Sequence, residues 1–165
     1  MKRYKGSGDI GTTYINNYEI NKNDLVLDFY GDILDLSNSI NVLLLSSFVN
    51  KNIDLKLELN KIIETLDIIL KDIYVSKEES KYRISEHKYL EQIIDKYDAK
   101  LNGKEKNNLI SCKDACAAKQ CFIKALKLER SFYKLGIEAL YSTYLNRLST
   151  YFNVVRQYID EENGF

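Results

Sequence analysis

Lysine, glycine and hydroxyl residues crowd the front of the chain in the run Lys5-Gly-Ser-Gly-Asp-Ile-Gly-Thr-Thr13. It holds three of the seven glycines in 165 residues. Glycine is costly in helices and useful where a backbone must turn tightly. Gly6, Gly8 and Gly11 expose peptide N–H groups, Ser7, Thr12 and Thr13 add hydroxyls, and Lys5 adds a cation. That set suits phosphate oxygens. It is not a Walker A loop, since no Gly-Lys-Ser/Thr closes it and no strand precedes it. Taken alone, the stretch reads equally as a flexible glycine-rich terminus.

Further along, Lys127 and Arg130 stand one turn apart on one helix face, either as a second anion-binding pair or as a solvated stripe. Asn146 sits inside a helical pattern, where its propensity is poor, so a specific partner is expected. His87 has polar neighbours and reads as a surface residue. Cys112 and Cys116 are four apart and would share a face, whereas Cys121 lies about 140° round from Cys116. With His87 far away, the spacing supplies no closed zinc site. Small buried cysteines are the expectation, and an odd count argues against a disulfide framework.

These residues need a scaffold, and the composition bounds it. Lysine plus arginine equals aspartate plus glutamate at 24 each, so there is no basic excess of the kind nucleic-acid binders carry. No apolar run approaches the length of a membrane span, and the N-terminus lacks the apolar core of a signal peptide. The expectation is a single cytoplasmic domain over 1–165, with no nucleic-acid or membrane partner.

From Asp24 the apolar residues recur at three and four. Leu25, Phe29, Ile33, Leu36, Ile40 and Leu43 give a first helix to about Val49, broken by Asn50-Lys-Asn52. Leu55, Leu59, Ile62, Leu66, Ile69 and Ile73 give a second, followed by a polar connector, Ser76–Lys81. Leu90, Ile94, Tyr97 and Leu101 give a shorter third, stopped before Gly103. A charged loop follows over 103–108. The fourth helix runs from Ser111 or Cys112 to about Leu135, with Gly136 as its stop. The fifth carries Leu140, Tyr144, Leu148, Tyr151, Val155 and Ile159. The predicted architecture is all-α: an extended N-terminal arm (1–23) on a five-helix up-and-down bundle (24–160). The 13 tyrosines extend the apolar surface and favour an oligomer.

Together these segments resemble the PduO-type ATP:cob(I)alamin adenosyltransferases. The resemblance rests on the arm Lys5–Thr13, on Lys22-Asn-Asp24, on Asp28-Phe-Tyr-Gly31, on Arg83-Ile-Ser-Glu-His-Lys-Tyr-Leu-Glu-Gln-Ile-Ile-Asp95, on Glu129-Arg130 and on Tyr144-Leu-Asn-Arg-Leu-Ser149. These six motifs come in the family's order and cover nearly the whole chain. The resemblance implies a homotrimer with ATP between subunits and transfer of the 5′-deoxyadenosyl group to cobalt(I), releasing triphosphate. It places Lys5, Gly6, Ser7, Gly8, Asp9, Thr13 and Lys22 at the ATP phosphates. Lys127 and Arg130 serve as catalytic charge stabilisers, and Arg130 also binds ATP. Glu129 and Asn146 orient ribose or side chains. Magnesium accompanies the phosphates without a direct protein ligand. A cobalamin reductase or an adenosylcobalamin-dependent enzyme is the implied further partner.

The departures gather on the corrinoid side. The family arm has lysine where this chain has Gly6. Leu34 and Phe122 stand where the family carries an aspartate and an arginine paired between subunits, further family arginines fall on Leu126 and Lys127, and the family's aromatic loop before the fourth helix has no counterpart in 107–113. Exchanging both members of an ion pair for apolar groups can be neutral for stability where losing one is not. The trimer is therefore expected to persist while transfer slows. The alternative is a non-catalytic ATP- or corrinoid-binding trimer acting as a sensor, carrier or chaperone.

Overall fold

The computed structural model describes residues 6, 8–15, 17–74, 80–101 and 110–164. Among them the order is β1 (Thr12–Ile15), β2 (Tyr18–Asn21), α1 (Leu25–Leu44), α2 (Ser47–Lys51), α3 (Ile53–Tyr74), α4 (Ile84–Asp98), α5 (Lys113–Lys134) and α6 (Ser142–Glu162). The connector over 75–79, the loop over 102–109 and the Gly103 stop lie outside the described residues.

The expected five helices are all present as long elements, but α2 is a sixth. The first helix ends at Leu44 rather than near Val49. The hydroxyl of Ser46 accepts from the Val49 amide at 3.3 Å and starts a new helix. Asn52 then caps α3 by accepting from the Leu55 amide at 3.1 Å. Two good N-cap residues thus cut a continuous apolar stretch into segments that can turn a corner. Asp24 caps α1 through the Val26 amide at 2.9 Å. Gly136, at φ +64°, stops α5 as expected. Leu140 is corrected: it lies before α6 and is 64% exposed, because α6 starts only at Ser142.

The arm is not simply extended. It folds back as an antiparallel hairpin with Thr13 opposite Ile20, turning through Asn17 at φ 69°. The Lys22 amide donates to the Gly11 carbonyl oxygen at 2.9 Å, which closes the hairpin base. No described residue before Phe29 is buried.

In the bundle α5 lies between α1 and α6, α4 packs on α6, and α3 packs on α1. The periodic residues of α1, α3, α4 and α6 fill one core with Cys121, Ala125 and Leu128 of α5. α1 and α5 run antiparallel. Phe29 meets Phe132 at 5.8 Å near one end, while Asp35 pairs with Lys124 further along. The C-terminal end of α5 therefore lies level with the start of α1, where the arm joins.

Two buried carboxylates organise polar networks in the core. Glu58, 4% exposed, accepts from the Tyr97 hydroxyl at 2.8 Å and the Lys96 ammonium at 3.0 Å. Asp160 is fully buried. One of its oxygens accepts from the Ser111 amide at 3.0 Å and hydroxyl at 2.5 Å, the other from the Arg156 guanidinium at 3.1 Å. This carboxylate fastens the segment entering α5 to the end of α6.

Candidate nucleotide site

The glycine arm adopts the tight turns its sequence demands. Gly6 and Gly11 have φ of +68° and +84°, a region where a side chain is strained. The Asp9 amide donates to the Gly6 carbonyl at 3.0 Å, and Lys22 reaches back to donate to the Gly8 carbonyl at 2.5 Å. The hairpin thus brings Gly8 and Lys22 together, with Asp9 beside them and Thr13 on the first strand. The hydroxyl of Thr12 is buried without a partner among the described residues. Lys5 and Ser7 lie outside the described residues.

Between α1 and α5 opens a polar cleft of about 360 Å³, lined by Asp28, Asp32, Lys127, Arg130, Ser131 and Lys134. Helical spacing builds it. Asp28 and Asp32 are one turn apart on α1, and Lys127, Arg130 and Lys134 recur at three and four on α5. Asp32, 8% exposed, holds the Lys127 ammonium at 2.7 Å. That hydrogen bond and the carboxylate charge push the Lys127 pKa up, outweighing slight desolvation, so Lys127 is a fixed cation. Arg130 and Lys134 make no ion pair or hydrogen bond among the described residues. Uncompensated positive charge therefore points into the cleft and continues toward the end of α5 nearest the arm, covering about 10 Å from Lys127 to Lys134.

On the other flank of α5, the Asn146 amide nitrogen donates to a Glu129 oxygen at 2.7 Å. Sequence reasoning thus located a real contact, though Asn146 is the fifth residue of α6 rather than mid-helix. Arg147 donates to the Asn146 oxygen at 2.6 Å and to Glu91 of α4 at 3.1 Å.

Leu34 is 48% exposed and Phe122 is half-buried against the core. Phe122 lies about 200° round α5 from Lys124, and Lys124 is the residue that faces α1. Within one chain Phe122 therefore faces away from α1, the helix that carries Leu34.

His87 is corrected from a surface residue to a half-buried one. Its Nδ1 lies 3.2 Å from the Tyr82 hydroxyl, and the rings stack. It lines a second, mostly apolar cavity of about 620 Å³ with Ile84, Phe132, Tyr133, Ile137 and Leu140. That cavity is larger than the polar cleft but offers a phosphate little. The cysteines divide: Cys112 is the N-cap of α5, accepting from the Ala115 amide at 3.4 Å, Cys116 is exposed, and only Cys121 is buried. Burial pushes the Cys121 thiol up to about 12. Among the described residues no three His, Cys, Asp or Glu side chains converge as a metal site, and no helix is long and apolar enough to cross a membrane.

Sequence reasoning missed Asp32, Ser131, Lys134 and Arg147. The seven-residue interval from Lys127 to Lys134 was a usable signal for Lys134. Asp32 and Arg147 acquire meaning only from contacts between helices.

A family model, Cobalamin adenosyltransferase, matches residues 3–159. Solved structures of a PduO-type ATP:corrinoid adenosyltransferase from Lactobacillus reuteri share the fold. A phenylalanine-to-histidine variant complexed with cobalamin and ATP superposes with a TM-score of 0.84 at 24% identity, over 98% of this chain and 92% of that one. A phenylalanine-to-alanine variant with the same ligands gives 0.85 at 24%, over 98% and 95%. An arginine-to-lysine variant complexed with ATP gives 0.83 at 24%, over 97% and 95%. No curated protein sequence matches significantly.

Proposed function

The chain belongs to the cobalamin adenosyltransferase family, whose reaction is adenosyl transfer to a corrinoid, and on that premise we propose how ATP and cob(I)alamin are divided over this molecule. The observation that carries the reading is the cleft whose cations run toward the glycine arm. The triphosphate lies along Lys127, Arg130 and Lys134, capped by the arm residues Lys5, Gly6, Ser7, Gly8, Asp9 and Thr13 with Lys22. The nucleoside end meets Glu129 and Asn146.

In the reaction a Co–C5′ bond forms as the C5′–O bond breaks, and the electron pair of that bond leaves on triphosphate. Cobalt(I) is a strong nucleophile and needs no base. The chain's contribution is to align C5′ and to stabilise charge growing on the leaving oxygen. Lys127 and Arg130 do the second, and Asp32 keeps the Lys127 ammonium aimed and charged. Asp28 and Asp32 are the carboxylates lining the cleft. Asp32 is committed to Lys127, and magnesium takes its oxygens largely from water and substrate phosphates and not from an all-protein cage. The ion accordingly rides on the phosphates.

The assembly is a homotrimer. Leu34, Val42 and Ile123 are about half exposed, at 48%, 51% and 53%, and supply apolar contact surface on α1 and α5. Leu34 of one chain then meets Phe122 of the next, completing the corrinoid side with apolar groups. A cobalamin reductase or an enzyme using the adenosylated product is the further partner, and the cytoplasm is the compartment.

Calorimetry with MgATP tests the site. Full-length protein should bind, Lys127→Ala and Arg130→Ala should weaken binding at least about tenfold each, and deletion of residues 1–13 should abolish it while the helical signal persists. Absence of binding at millimolar MgATP would overturn the reading.

A further inference from the structure

A side-chain amide has two ends of similar size and opposite chemistry, so an amide that reads a ligand must be held against flipping. Asn146 is held at both ends. Its oxygen faces Arg147 Nη1 at 2.6 Å, and its nitrogen faces Glu129 Oε1 at 2.7 Å. A guanidinium can only donate and an ionised carboxylate can only accept. Flipping the amide would set N–H against guanidinium and oxygen against carboxylate, exchanging two charge-assisted hydrogen bonds for two repulsions. Arg147 is fixed in turn, because its Nε donates to Glu91 Oε1 at 3.1 Å. The chain Glu91–Arg147–Asn146–Glu129 thus ties α4, α6 and α5 together across the surface. Glu129 consumes one N–H of Asn146. The second N–H of Asn146 and the second oxygen of Glu129 have no partner among the described residues, which leaves one donor and one acceptor on a bonded pair.

We propose that Arg147, anchored by Glu91, is a positioning residue: it fixes the Asn146 amide so that this donor–acceptor pair faces the nucleoside hydroxyls of bound ATP. The inference rests on the placement of Glu129 and Asn146 at the nucleoside. A purely structural role fits the exposure poorly. The Arg147 and Glu91 side chains are 40% and 42% exposed, and such pairs add little stability. Arg147 should therefore be nearly silent in thermal unfolding and conspicuous in nucleotide affinity.

The test is a double-mutant cycle on the full chain, with MgATP affinity by calorimetry and thermal unfolding in parallel. Arg147→Met keeps the apolar stem and removes every donor. It should raise Kd about tenfold, the scale of one charge-assisted hydrogen bond. The melting temperature should stay within about 2 °C of the parent. In an Asn146→Ala background the same substitution should add less than about twofold, since nothing is left to position. Should Arg147→Met fail to fold, Glu91→Gln carries the same test, with a smaller loss of affinity that also vanishes in the Asn146→Ala background. An unchanged Kd, or an equal loss with and without Asn146, overturns the proposal. If the unmodified protein binds no MgATP, the nucleotide site itself fails and this inference with it. If it binds MgATP but Asn146→Ala costs nothing, the placement of Asn146 alone is wrong, and the inference falls with that placement.

Discussion

Asp160 provides a graded test of what holds the entrance to α5. Its carboxylate is fully buried, and Arg156 is 8% exposed. Three donors converge on it: the Ser111 amide, the Ser111 hydroxyl and the Arg156 guanidinium. Asp160→Ala strands a buried guanidinium and orphans the Ser111 amide, and should cost about 3–5 kcal/mol. Asp160→Asn keeps one acceptor for Ser111 but leaves Arg156 without a countercharge, so about 2–3 kcal/mol is expected. Ser111→Ala removes only the hydroxyl, for about 1–2 kcal/mol. Replacing both members of the pair, as Arg156→Met with Asp160→Leu, should recover the part of the loss that comes from the stranded guanidinium, but not the part from the orphaned Ser111 amide. Urea unfolding followed by circular dichroism reads the series. For a domain of this size the Asp160→Ala loss corresponds to a fall of about 10 °C in melting temperature. If all variants fall within about 0.5 kcal/mol of the parent, the network is not the fastening described.

Two further outcomes follow from other parts of the molecule. Leu34→Asp combined with Phe122→Arg should raise the transfer rate by restoring a charge pair across subunits, while either change alone should weaken the trimer; steady-state rates and light scattering check both, and stable single variants would contradict the contact. Alkaline pH should destabilise the fold. Burial holds the Cys121 thiol near 12, above its ordinary 9.0, and burial raises the Tyr97, Tyr144 and Tyr151 hydroxyls above 10.0. The unfolded chain then releases protons that the folded chain keeps, so stability is complete below pH 9 and falls by about 1.4 kcal/mol per unit for each group as pH rises past its unfolded pKa. A urea midpoint constant from pH 8 to pH 10.5 would contradict this.

The long helices were legible because their apolar residues keep a 3.6-residue period, and nearly all of those residues are buried. Boundaries were harder. Leu45, Phe48 and Val49 continue the apolar character past the end of α1, and only the small cap Ser46 marks the break. Leu140 is in phase with Tyr144 and Leu148 but precedes the helix, so periodicity overran the turn over 139–142 that leads into α6. The glycine arm announced its turns, because positive φ has few solutions other than glycine, whereas its hairpin pairing did not show. Lys127 and Arg130, which line the cleft, and Glu129 and Asn146, which bond to each other, could be named from motifs within single helices. Their partners Asp32 and Arg147 could not, because the rotation of one helix against another decides which side chains meet. His87 was misjudged for the same reason: its polar sequence neighbours are not its neighbours in space, where Tyr82 covers it.

The most direct measurement is of the chemistry itself: full-length protein mixed with MgATP and chemically reduced cob(I)alamin, with the corrinoid spectrum followed and the phosphate product identified. The predicted result is conversion to the adenosylated corrinoid with intact triphosphate released, lost on Lys127→Ala, and at a rate below about 1 s⁻¹ as the proposed placement of apolar Leu34 and Phe122 on the corrinoid side requires. A corrinoid spectrum unchanged while MgATP is bound, or release of pyrophosphate or ADP in place of triphosphate, would contradict it.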